Sequence, residues 1–417
     1  MHAFWQTCSV VSMVALLALH AAGQSTSSSQ LSQADRIYIA SKVYSSLQVY
    51  FDHWEDKKDE DFDKGYKEYL SRILPDIDRK EFDLQTISFV AQLHNGHTWF
   101  DDRWLDDTFG GALGFYAKPV RGEWVVIRSQ VPQLQVGDSI VAINSQPMEQ
   151  FFEQKRAYLS DSNERAERGD LFATTYLLPQ RFVIALSDGR EVNIIRGQAA
   201  DESQRPEGSV SGRWLEPERL AYIKIASFGG IEVEAAALKM VQEFRDAQGM
   251  IIDLRGNPGG YGRSPLQLQA ALMTGPFRSW HESSGRISAP RGRSEIVSDE
   301  LWERLEADMP LGIYKGRLVI LIDGVCASFC EDFLMPFKDN HRATLIGQTT
   351  AGTFSYTYYF EFGNGMRMNI AATRESFPDG ARFEGVGISP DLEIEPSIDD
   401  IRSHKDPVLV KAIEVLR

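Results

Sequence analysis

At 417 residues, with 43% apolar and 25% charged side chains, the chain has the composition of a globular protein, and its length suggests roughly two to four domains. A formal net charge of −15 disfavours nucleic acid and anionic membrane surfaces as partners. Three cysteines are too few for a disulfide scaffold.

In chain order, Val10 to Ala22 is apolar but too short to span a bilayer. Small residues Ala21-Ala22-Gly23 precede Gln24 and a polar serine-rich run. This pattern predicts a secretory signal peptide over residues 1–23, cut near Gly23. A short N-terminal anchor is the alternative, because no Lys or Arg precedes the apolar run. No later stretch is apolar enough to cross a membrane, so the expected mature protein is exported, periplasmic or extracellular, without stable membrane insertion.

Residues 31–100 predict a helical unit. Ile37, Ala40, Val43, Leu47, Tyr50, Phe51 and Trp54 recur at helical spacing, and Glu55 to Gly65 reads as a solvated charged loop. A second helix runs from Tyr66 to Leu74 and stops at Pro75; Asp83 is the expected cap of a third. The unit ends in His94-Asn95-Gly96-His97-Thr98. Residues 109–197 then change to short strands and glycines, as in a small β domain, a barrel of five or six strands. Within it, Val136 to Asn144 (VGDSIVAIN) resembles the strand-turn signature of PDZ domains, which bind peptide ends by adding a strand. A generic β spacer is the plainer reading. A charged, helix-rich insertion between Glu149 and Leu178 carries no evident purpose.

After a polar linker, Gly197 to Gly212, strands and helices alternate over residues 213–397, which predicts a mainly parallel α/β core. The expected strands include Leu220 to Phe228, Met250 to Leu254 and Leu318 to Ile322. Others follow at Ala343 to Gly347, Tyr358 to Phe362 and Met366 to Ala371. Helices are expected over Pro265 to Met273 and, within residues 404–417, over Pro407 to Leu416. The fold class is α/β, multi-domain.

The run Arg317 to Phe333 (RLVILIDGVCASFCEDF) is the chemical centre. Ser328 falls where a buried strand gives way to a helix, with its hydroxyl accessible and helix amides nearby. A capping serine is the simpler explanation of this stretch alone. Cys326 and Cys330 bracket it and are expected to pack as free, small apolar groups. A serine nucleophile needs a base, and His94 and His97, beside a glycine turn, are the histidines best placed for one; spacing does not choose between them. Two histidines three apart, with no third ligand, make a metal site improbable.

Four blocks together resemble the C-terminal-processing and tricorn-type serine peptidase family. LHNGHTWF (Leu93 to Phe100) is similar to the family's Leu-x-Asp-Gly-His-Thr block, which implies His97 as the base; Asn95 stands where relatives commonly carry aspartate. IIDLRGNPGG (Ile251 to Gly260) resembles the glycine turn that supplies an oxyanion amide. LIDGVCASFCEDF matches the nucleophile block, with Ser328 as nucleophile. FEGVGISPD (Phe383 to Asp391) resembles the block whose acid would be Glu384. The resemblance implies an N-terminal helical part, a PDZ-like domain and a crotonase/ClpP-like core. Where one branch carries a catalytic lysine, this chain has Thr353 or a near neighbour. The wording Thr350-Ala351-Gly352 is similar instead to the tricorn and retinoid-binding branch, which pairs serine with histidine and glutamate.

The resemblance therefore implies an exported serine peptidase acting without metal or cofactor. Ser328 would attack, His97 would take its proton and Glu384 would hold the imidazolium. The amides of Phe329 and of Gly259 or Gly260 would hold the oxyanion. Its partner would be a peptide or unstructured protein, cut internally or engaged through its carboxyl end; that choice and the oligomeric state are open. A catalytically silent binder of peptides or apolar ligands on the same fold is the alternative. An acyl-CoA enzyme of crotonase type is a third, disfavoured by the export signal.

Overall fold

The computed structural model describes residues 30–54, 59–198, 210–216, 219–261, 265–288, 292–298 and 312–417. The expected signal peptide, and Cys8 within it, lie outside these residues. No helix among them is long and apolar enough to cross a membrane.

The core is a six-stranded sheet. In spatial order its strands are Leu392–Glu393, Thr344–Gly347, Arg317–Ile322, Gly249–Asp253, Leu220–Ile225 and Val210–Glu216. All pairings are parallel except the last. Strand periodicity divides the central side chains between two faces. Leu318, Ile320 and Ile322 pack against helices Ile231–Glu243, Leu266–Leu272 and Phe329–Asp339. Val319 and Leu321 face the closing helix Pro407–Leu416 through Val408, Ala412 and Leu416. Burial on both sides explains why this run is continuously apolar.

A separate antiparallel sheet, ordered Phe115–Val120, Glu123–Ser129, Ser139–Ile143, Arg181–Leu186 and Glu191–Ile195, forms the small β domain. Phe115–Val120 is its edge. The insertion contributes helices Met148–Arg156 and Glu164–Asp170, the second packed on that edge strand.

Three expectations need correction. The second helix is Asp59–Ile73, so most of the expected charged loop is helical. The third, Arg79–Ala91, is capped by Asp78, whose side chain accepts from Glu81 N–H at 2.8 Å. Asp83 lies inside that helix and is fully buried. Strands Thr357–Gly363 and Met366–Ala371 do not join the core sheet: they form an antiparallel sheet with Trp99–Asp102. Met366, Met368 and Ile370 then complete the core of the N-terminal helices. The helical unit thus borrows strands from the far end of the chain, which local alternation of apolar residues cannot reveal.

Candidate active site

Ser328 stands directly before the helix Phe329–Asp339, with φ 55° and ψ −126°. Its side chain makes no capping bond, so it is not the simple helix cap. A non-glycine residue in this strained region is held by its surroundings. Here Ser328 N–H donates to Thr353 O at 2.8 Å, and Ser328 O accepts from Glu331 and Asp332 N–H. The hydroxyl is left free of the backbone and points to His97.

His97 Nε2 lies 3.0 Å from Ser328 Oγ. The opposite ring nitrogen, Nδ1, lies 2.9 Å from Thr353 Oγ1. The turn carrying this histidine is pinned from a strand far away in sequence. Asn369 Nδ2 donates to His97 O at 2.8 Å, and Ala371 N–H donates to Thr98 Oγ1 at 3.0 Å. A side chain at Gly96 would place its Cβ 2.9 Å from Thr353 Oγ1, so glycine permits the close approach. Burial, reinforced by the charge of His53, pulls the imidazole down to about 4. It is therefore neutral at pH 7, the form that accepts a proton. His94, the other candidate, has an exposed ring 3.8 Å from Glu167 and does not join this group.

Glu384 is not bonded to the imidazole. Its Oε1 accepts from Asn95 Nδ2 at 2.8 Å and from the Ser162 hydroxyl. The expected serine–histidine–glutamate chain is thus interrupted, because Thr353 occupies the place on Nδ1. Glu384 reaches the histidine turn through Asn95, whose Oδ1 accepts from His97 N–H at 3.1 Å and from Thr98 Oγ1 at 3.0 Å. Burial pushes Glu384 up to about 8, opposed by the Ser162 hydroxyl.

Thr353 is itself fixed by a carboxylate. Glu331, in the first turn of the helix after Ser328, accepts from Thr353 N–H at 2.9 Å, Gly352 N–H at 2.7 Å and the Thr350 hydroxyl. Burial raises it to about 7, with those donors opposing the rise. This first-turn carboxylate therefore holds the loop that meets the histidine.

The glycine turn packs against the nucleophile. At φ +88°, a Cβ on Gly259 would lie 2.7 Å from Ser328 Cβ and 2.8 Å from Phe329 N. Gly259 N–H, however, donates to Asn257 Oδ1 at 2.8 Å, so that expected oxyanion donor is already engaged. Gly260 pairs with Phe228. Phe329 N–H opens the helix, where no intrahelical acceptor exists. Cys326 and Cys330 are free and fully buried. Among the described residues no group of three or more His, Cys, Asp or Glu side chains could hold a metal ion.

Three participants escaped the sequence. Thr353 was visible only as the residue in place of a lysine, Asn95 only as a departure from aspartate. Ser162 sits in the insertion and has no local signal at all.

Parts of the chain are similar to known peptidases. Residues 219–394 match the model of Peptidase family S41, a stretch that includes Ser328 and Glu384 but not His97. The carboxy-terminal-processing protease of Bartonella bacilliformis is 30% identical over 148 residues, covering 36% of this chain and 31% of that protein. The carboxyl-terminal-processing protease of Synechocystis is 27% identical over 203 residues, covering 48% and 44%. The chain thus spans less than half the length of these relatives. Among solved structures, mature CPAF superposes with a TM-score of 0.68 at 15% identity, over 92% of this chain and 96% of that one. The photosystem II D1 C-terminal processing protease gives 0.52 at 18% identity, over 87% and 94%. These likenesses show a shared mixed α/β fold. Through residues 219–394, the chain is similar to peptidase family S41.

Proposed function

We propose that the protein is an exported serine peptidase that hydrolyses peptide bonds through an acyl-enzyme on Ser328. The observation that carries this reading is the 3.0 Å contact between His97 Nε2 and Ser328 Oγ, with the imidazole held neutral. Attack of Oγ on the scissile carbonyl passes its proton to Nε2, which returns it to the leaving amine; water then cleaves the ester by the same relay. Thr353 orients the ring at Nδ1, while Glu384 secures the histidine turn through Asn95 and Ser162. The developing oxyanion is met by Phe329 N–H, beside the turn at Gly259 and Gly260.

The small β domain fits the PDZ-like role of receiving an extended peptide, and the core fits a crotonase-like frame. Support comes from the edge strand Phe115–Val120, which lines a cavity of about 540 Å³ facing the core beside Asp323 and Gln348. A carboxyl-terminal segment of an unstructured protein is the substrate this suggests.

A fluorophosphonate probe tests the assignment. It should label the wild-type protein at Ser328, and Ser328→Ala should lose both labelling and peptide turnover, the latter by roughly 10⁴-fold or more. The alternative of a catalytically silent binder draws on the gap between Glu384 and the imidazole; absence of labelling and of turnover in the wild type would establish it.

A further inference from the structure

The helix-rich insertion of the small β domain packs against the catalytic loops, and three polar side chains within a four-residue stretch make that contact. Ser162 Oγ accepts from Gly96 N–H at 2.9 Å and donates to Glu384. Asn163 Nδ2 donates to Ala351 O at 2.6 Å and to Gly385 O at 3.2 Å. The Arg165 guanidinium donates to Thr350 O. These partners belong to the three loops that carry His97, Thr353 and Glu384. The fit is close: a Cβ on Gly385, at φ +79°, would lie 2.9 Å from Ser162 O.

We propose that Ser162 is a positioning residue for the Ser328–His97 pair, supplied to the α/β core by the neighbouring β domain. This rests on the serine-peptidase reading above. Its hydroxyl is the one group that joins the peptide N–H immediately before His97 to the carboxylate of Glu384. Asn95 makes the companion bond from the other side of the turn. Two donors on Glu384 Oε1, one of them tied back to Gly96, set where the turn sits, and so set the distance from imidazole to hydroxyl. Small misplacements of a base are costly to rate. The core stretch from residue 219 to 394 cannot build this support alone, because neither Ser162 nor His97 belongs to it.

The test compares Ser162→Ala, Ser162→Thr and wild type in the full chain. Readouts are the fluorophosphonate labelling rate, kcat and KM on an unstructured quenched-fluorescence peptide, and Tm. Loss of a buried hydrogen bond at a tuned site should lower kcat and the labelling rate together by about tenfold, leaving KM within about twofold. Ser162→Thr, which keeps the hydroxyl, should restore most of the rate. The acid side of the kcat profile should also move to higher pH in Ser162→Ala. The hydroxyl favours the ionised carboxylate, which also faces Glu331, Glu375 and Arg382; without it Glu384 holds its proton to higher pH. Labelling and kcat unchanged in Ser162→Ala would overturn the proposal. So would a loss that Ser162→Thr does not rescue and that a fall in Tm accounts for. A wild type that neither labels nor turns over peptide overturns the peptidase reading instead, and the proposal with it.

Discussion

Two buried polar clusters flank the segment that leads into His97, and they are satisfied in opposite ways. In the helical unit, Arg79 is fully buried and grips Asp102 with two nitrogens, at 2.8 and 3.0 Å. Charge meets charge there. In the cleft, Glu384 and Glu331 take hydrogen bonds from an amide side chain, hydroxyls and backbone N–H groups. A carboxylate held by neutral donors keeps an ionisation that burial can lift toward neutrality, as at Glu331 and Glu384. An adjustable charge suits a site that moves protons.

The comparison can be broken at its strongest point first. Arg79→Ala should destabilise the protein by about 3–5 kcal/mol, since it strands Asp102 without its partner. Denaturant melts would show this, with activity per folded molecule retained; a loss below about 1 kcal/mol would mean the pair is not what holds the unit. Thr353→Val keeps the shape and removes the hydroxyl on Nδ1. It should reduce kcat by about 10- to 100-fold with little change in Tm, because ring orientation and not packing is lost. An unaffected kcat would return the orienting role to another group.

The third variant has the smallest effect at low pH. In the folded state Glu384 titrates near 8, above an ordinary carboxyl group at 4.5. The folded state therefore holds the proton more tightly, and the benefit is intact below about 4.5 and lost as pH rises through 8. Glu384→Gln cannot lose a proton. Its Tm should match wild type near pH 4.5 and should decline less between there and pH 8. Parallel Tm–pH curves would show that Glu384 is not the group responsible.

How much of this was legible depended on how local each feature is. Leu318 to Ile322 announced a doubly covered strand because every residue in it is apolar, and Ser328 followed from where that run stops. The cap of the third helix was misplaced from Asp78 to Asp83, since both are acidic and only the backbone decides which begins the helix. The pairing of Met366–Ala371 with Trp99–Asp102 was out of reach, as a strand's own pattern does not name its neighbour. The block around Glu384 was recognisable, but not that Thr353 would stand between it and the imidazole. Ser162 was invisible, for a serine in a charged insertion looks like any solvated serine until the loops it bridges are assembled.

The clasp of Asn369 on His97 has a consequence for biogenesis. Nucleophile and base are separated by 231 positions, and the strand that fixes the base lies beyond both. A growing polypeptide can fold the Ser328 elbow while the imidazole still wanders. On the proposed mechanism, such a chain carries a hydroxyl without its base, and the pair is complete only once the last strands are in place.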